Sequence, residues 1–236
     1  LLHIVKYIEQ LYFHLSLVLP ILLLLDSSQS MGILSSSTIS GVNEQIESIK
    51  QLEKEYPDQK YNMDFIHFNS KVTIEYTNKP AGSLEKINES NYKCSGMTAL
   101  LDAIGVGVKN LNEKIGEKVA AGDAAAVVVI ITDGQENASR EYDGLKIKSM
   151  IEELQGTDRW TFTFVGANID TISTARNYGI NTNNVMNFSS DTDSNSKVYR
   201  SISRSFKSRA SSIDDNVLYS SGVFLSDEDK DVTTKK

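Results

Sequence analysis

Leu19-Pro20-Ile21-Leu22-Leu23-Leu24-Leu25-Asp26-Ser27-Ser28-Gln29-Ser30-Met31-Gly32 is the stretch on which the fold turns. Its first half, Leu19 to Leu25, is the most apolar run in the chain, and it ends abruptly in an acid and a row of hydroxyls. A continuous apolar run of this kind predicts a parallel strand buried on both faces. The polar residues that follow then lie at the carboxyl end of the strand, where open α/β sheets place their ligands. Asp26, Ser28 and Ser30 alternate along this segment and supply one carboxylate and two hydroxyls. Oxygen donors of this type suit Mg²⁺, Mn²⁺ or Ca²⁺ better than softer ions.

Upstream, residues 11–25 are almost wholly apolar, with Lys6 before them. The run falls short of the ~20 residues a membrane-spanning helix requires, and Pro20 interrupts it. No small-residue cleavage site follows, and cleavage near Leu25 would remove the strand that carries Asp26. Residues 18–25 are therefore expected to form the first core strand, and residues 1–17 an amphipathic N-terminal extension. An uncleaved membrane anchor overlapping that extension, making the protein a membrane-tethered scaffold, is the alternative.

Downstream, Ile39, Val42, Ile46, Ile49, Leu52 and Tyr56 recur at helical spacing and predict a helix over 38–56, ended by Pro57-Asp58. Tyr61–Phe68 and Val72–Tyr76 read as strands joined by so short a turn that only an antiparallel hairpin fits. A polar loop over 77–97 leads to a second helix at about 98–120. Ala125–Thr132 is another uniformly apolar strand. A helix at 142–155, a strand at Trp160–Val165, a helix at 169–178, a strand at Val185–Phe188 and a helix at 194–208 follow. This alternation predicts a doubly wound α/β fold, with a mostly parallel central sheet, one antiparallel edge strand and helices on both faces. The domain is expected to span 18–208. Residues 209–236, rich in Ser, Asp, Lys and Thr, are expected to be a poorly ordered tail.

The net charge of −7 argues against a general nucleic-acid-binding surface. A single cysteine, Cys94, leaves no intrachain disulfide and points to a reducing, cytoplasmic compartment. With only Lys93 as a basic neighbour, it does not read as a catalytic thiolate. His67 belongs to an apolar strand and reads as a packed histidine. Gly105-Val106-Gly107, inside a helix, reads as a close helix–sheet contact and not as a phosphate loop.

Two further segments carry oxygen ligands to the edge where Asp26 is expected. One is Ser95-Gly96-Met97-Thr98, with Thr98 opening the second helix, and the other is Thr132-Asp133-Gly134. Each alone is an ordinary turn or cap; together they place Asp26, Ser28, Ser30, Thr98 and Asp133 within reach of one ion. Three neutral hydroxyls and two carboxylates roughly balance a divalent cation, and an octahedral ion then keeps one position beyond its five protein donors. Asp102, one helical turn after Thr98, is a candidate supporting acceptor, although a helix-face or capping role is equally consistent with its position. Glu136 and Asn137 are candidate rim residues, with solvated loop positions as the plainer alternative.

These motifs, in this order, resemble the von Willebrand factor type A domain. Asp26-x-Ser28-x-Ser30 followed by Met31-Gly32 is similar to that family's metal-ion-dependent adhesion site. Ser95-Gly96-Met97-Thr98-Ala99-Leu100 is similar to its threonine loop, and Thr132-Asp133-Gly134 to its distal aspartate. The resemblance covers residues 18–208. In Asp133-Gly134-Gln135-Glu136-Asn137 and in compact length it is similar to stand-alone bacterial or phage members. Gln29 stands where many members have Gly, which places a larger side chain beside the ion. The resemblance implies a Mg²⁺-, Mn²⁺- or Ca²⁺-dependent protein-binding module, completed by a partner's Asp or Glu and acting in assembly or interaction. No enzymatic activity is expected. The enzyme alternative, a Mg²⁺-dependent aspartyl phosphotransferase, needs a second carboxylate two residues after the nucleophile, and that position is Ser28.

Overall fold

The computed structural model describes residues 17–167, 169–188, 192–214 and 224–225. The apolar run forms β1 (Leu17–Asp26), followed by a short 3₁₀ helix, Gln29–Leu34, and by α1 (Ser35–Glu55). The hairpin is β2 (Gln59–Phe68) and β3 (Val72–Pro80). Then come α2 (Leu100–Ala121), β4 (Ala126–Thr132), α3 (Gly144–Gln155), β5 (Trp160–Ala167), α4 (Thr171–Asn177), β6 (Val185–Phe188) and α5 (Thr192–Asp214).

The six strands form one sheet in the order β3-β2-β1-β4-β5-β6. All neighbouring pairs are parallel except β2 with β3, as the short hairpin turn requires. Alternation along β1 sends Leu19, Ile21, Leu23 and Leu25 to one face and Leu22 and Leu24 to the other. The first face is covered by α1 and α5, the second by α2, α3 and α4. A sheet buried on both sides has no polar face, so its strands read as unbroken apolar runs. Pro20 leaves a mark on this ladder. β1 meets the β4 segment at Val18–Ala124 and again from Ile21–Val127, with the pairing broken between them. Proline has no N–H to donate there.

Gly107 packs helix against sheet: a Cβ there would stand 3.0–3.1 Å from Leu24, Ile66 and Leu22. No helix among the described residues is long and apolar enough to cross a membrane. The expected extension at 1–17 lies, apart from Leu17, outside the described residues.

The end of the chain departs from expectation. Helix α5 continues to Asp214, past the expected tail boundary at 209, with Arg209 and Ala210 buried. Phe224 and Leu225 are also buried, and Phe224 meets Phe206 edge-on with ring centroids 5.1 Å apart. Its backbone N–H donates to Asn184 Oδ1 at 2.6 Å. Val217, Leu218, Val223, Phe224 and Leu225 show no clear period in the sequence, yet Phe224 and Leu225 join the core cluster that α5 covers.

Candidate metal centre

β1 and β4 are the central neighbours of the sheet, and their register aligns Leu25 with Ile131. One residue further on, each strand turns polar, which sets Asp26 beside Thr132 at the carboxyl edge. Asp26 is fully buried. Its Oδ1 accepts from the Ser28 N–H at 2.7 Å, and its Oδ2 accepts from the Thr132 hydroxyl at 2.6 Å. Burial pushes the Asp26 carboxyl up to about 6, against the lowering effect of those two hydrogen bonds. Burial also raises Asp133, while the Ser30 hydroxyl holds it down. Two carboxylates kept from water and facing each other across one small site favour a cation between them.

Hydroxyls complete the cluster. Ser28 Oγ and Ser30 Oγ are 3.1 Å apart, and Ser30 donates to Asp133 Oδ1 at 2.6 Å. Gly134 marks the point of convergence: a Cβ added there would stand 3.0 Å from Thr98 Oγ1, 3.7 Å from Ser30 Oγ and 3.8 Å from Asp26 Oδ2. Asp26, Ser28, Ser30, Thr98 and Asp133 therefore meet in one place. Among the described residues no three His, Cys, Asp or Glu side chains gather to hold a metal. The donor set here is of another kind, all oxygen, with two carboxylates and three hydroxyls, and it fits a hard divalent ion.

The Thr98 segment reaches this edge differently from the sequence expectation. It does not leave a strand's carboxyl end, because the antiparallel β3 runs away from that edge and residues 84–99 carry the chain back. Backbone hydrogen bonds pin its return. Ser95 N–H donates to Ser27 O, Gln29 N–H to Gly96 O, and Ala99 N–H to Asn69 O. Gly96 has φ +73°, and a Cβ there would stand 2.7 Å from Ser70 Oγ, so the turn requires glycine. Tyr92 adds a buried strut, donating its hydroxyl to the Asp26 carbonyl at 2.6 Å.

Several expected roles are corrected. Thr98 does not cap the second helix; α2 starts at Leu100 with Ala99 at the cap position. The capping is done by Glu136, Asn137 and Ser139. Glu136 Oε2 accepts from Leu101 N–H at 2.9 Å, Asn137 Oδ1 from Thr98 N–H at 2.8 Å, and Ser139 Oγ from Asp102 N–H at 3.0 Å. Glu136 and Asn137 thus fasten the Asp133 loop to the Thr98 loop, where the sequence suggested free rim positions. Asp102 accepts the backbone N–H groups of Arg140, Glu141 and Tyr142 at 2.8–2.9 Å, so it anchors that loop. Gln29 is exposed beside the cluster. His67 is not simply packed: its Nδ1 lies 3.1 Å from Ser27 Oγ and its Nε2 2.9 Å from Glu75 Oε1. Burial pushes the Cys94 thiol up, away from the thiolate form.

A von Willebrand factor type A domain model matches residues 21–204. The minor pilin PilB from Streptococcus sanguinis shares the fold with a TM-score of 0.51 at 10% identity, over 81% of this chain and 61% of that one. Proximal thread matrix protein 1 from the mussel byssus, solved with a zinc-occupied MIDAS motif, gives 0.50 at 17% identity, over 79% of this chain and 45% of that one. The chain thus spans less than half the length of the mussel protein. A von Willebrand factor type A protein from Catenulispora acidiphila gives 0.49 at 11% identity, over 78% and 41%. No curated protein sequence matches. With the family model spanning most of the sequence and its sheet, the chain belongs to the von Willebrand factor type A domain family.

Proposed function

We propose that this chain is a divalent-metal-dependent protein-binding module, in which Asp26, Ser28, Ser30, Thr98 and Asp133 would hold Mg²⁺ or Mn²⁺ and an Asp or Glu of a partner completes the site. The observation that carries this is the meeting of five hard oxygen donors from three distant stretches at one sheet edge. When bound, the ion supplies an electrophilic point of attachment for a carboxylate. The chain's own residues bury Asp26, Ser28, Thr98 and Asp133, leave Ser30 exposed, and fix the spacing of the set through the Ser95–Ser27, Gln29–Gly96 and Asn137–Thr98 bonds.

The same donor set supports binding over catalysis. A phosphotransferase needs an acid–base group two residues after Asp26, where Ser28 supplies a hydroxyl. In this reading both carboxylates are engaged as ion ligands, and the three hydroxyls are not general bases near neutral pH. A cytoplasmic setting is part of this proposal and rests on the single cysteine.

The test is calorimetry with MgCl₂ and MnCl₂, followed by partner capture from a lysate with and without chelator. Wild type should bind the ion and retain specific proteins that EDTA releases, and Asp26→Ala should do neither while remaining folded. Capture should tolerate moderate salt, since the ~8 Å screening length weakens the long-range repulsion from the −7 net charge more than a direct ion–carboxylate contact. A complex that survives both EDTA and Asp133→Ala would defeat the proposal.

A further inference from the structure

Five large apolar side chains are strongly exposed among the described residues: Ile33, Ile74, Met97, Leu145 and Ile172. Apart from Ile74, on edge strand β3, they share the carboxyl edge of the sheet. Ile33, 89% exposed, lies in the 3₁₀ helix that continues the Ser28–Ser30 loop. Met97, 53% exposed, immediately precedes Thr98. Leu145, 82% exposed, stands in the first turn of α3, at the end of the loop that leaves Asp133. Single exposed aliphatics are ordinary on a protein surface; four on one edge of the sheet are a concentration, and Ile33 and Met97 stand on the segments that carry Ser30 and Thr98.

These positions are held in place by the bonds that hold the ligands. Met97 N–H donates to Ser70 Oγ at 2.9 Å, and its neighbour Gly96 accepts from Gln29. Leu145 follows a loop tied down by Asp102, and Asp143 caps its helix through Lys146 N–H at 2.9 Å. The charges on this side of the edge are mixed, with Glu141 and Asp143 exposed just before Leu145. Lys71 and Lys93 are exposed on the two segments that flank Met97, the hairpin turn and the loop before Ser95.

We infer that Ile33, Met97 and Leu145 form an aliphatic collar around the metal centre, and that it selects a protein segment whose coordinating Asp or Glu is flanked by apolar residues. The inference rests on the metal-dependent binding proposed above and gives the partner a chemistry. The ion fixes one carboxylate, and the collar removes the neighbouring side chains from water. An acidic segment with polar neighbours gains only the first contact.

The test is selection of a randomised peptide library with a fixed central Glu against the full chain in MgCl₂. Enriched peptides should carry Ile, Leu, Val or Phe next to the Glu. Ile33→Ser and Met97→Ser should each weaken the best peptide by about fivefold or more, as loss of one aliphatic contact implies. Both substitutions lie at exposed positions outside the ligand set, so Mg²⁺ affinity and melting temperature should not change. Enrichment of polar flanks, unchanged peptide affinity in both variants, or no Mg²⁺-dependent enrichment by a chain shown to bind Mg²⁺ would overturn the collar. So would sedimentation showing wild type as a dimer that both variants dissolve, since the occupant would then be a second copy. Selected peptides that bind equally well to Asp26→Ala or in EDTA would instead overturn the metal-dependent reading itself.

Discussion

Thr132 donates its hydroxyl hydrogen to Asp26 Oδ2 at 2.6 Å, across the seam between the two central strands. This bond lowers the pKa of a carboxyl that burial drives upward, so it keeps Asp26 more readily ionised at neutral pH. Thr132→Val preserves shape and removes the donor. Its expected effect is weaker Mg²⁺ binding at pH 7, by about tenfold, with the deficit shrinking as pH rises. Calorimetry at pH 6, 7 and 8 checks this; a deficit that does not vary with pH would assign Thr132 a purely geometric role.

Asp26 itself should make the metal-free protein sensitive to pH in a definite direction. Its folded value, about 6, lies above the ordinary carboxylate range because burial disfavours the charge. The stability tied to its neutral form is therefore complete only below about pH 4 and is lost as pH rises through 6, by about 3 kcal/mol in all. Asp26→Asn should raise the melting temperature of the metal-free protein at pH 7, bring little change at pH 4.5, and abolish stabilisation by MnCl₂. Melting curves at the two pH values, with and without the ion, decide it.

Thr98 separates ligation from capping. Because Ala99 holds the cap position and Glu136 supplies the capping carboxylate, Thr98→Val should leave the melting temperature within a degree or two of wild type. Ion affinity should fall by about tenfold, as one oxygen donor is lost. A variant that melts much lower yet binds Mg²⁺ normally would contradict the assignment.

The mostly parallel sheet with its antiparallel edge was legible because strands buried on both faces announce themselves as unbroken apolar runs, and a short turn forces the antiparallel pair; the strand order was not. The donors were legible because an acid and alternating hydroxyls follow such a run. Thr132 and Tyr92 were not, since their contacts to Asp26 depend on strand register and on where a long polar loop returns. Glu136 and Asp102 were misjudged for a related reason. They serve backbone groups of loops remote in sequence, and nothing in residue type distinguishes that from a ligand's support.

Phe224 and Leu225 illustrate a different limit, since the apolar residues scattered over 217–225 carry no period. Phe224→Ala should nevertheless destabilise the domain by about 3 kcal/mol, through loss of its packing on Phe206. Denaturant unfolding measures this directly. A change below about 0.5 kcal/mol would restore the expectation of an unpacked tail.

The donors at the metal centre come from residues 26–30, 98 and 133, and Ser30 and Asp133 meet only once β1 and β4 lie side by side. No shorter piece of the chain contains the set. An ion that requires all of it has nothing comparable to hold in the unfolded ensemble, and its binding free energy adds wholly to the native state. On the proposed reading, metal occupancy would report completed folding, and a partner that recognises the ion would recognise only finished molecules.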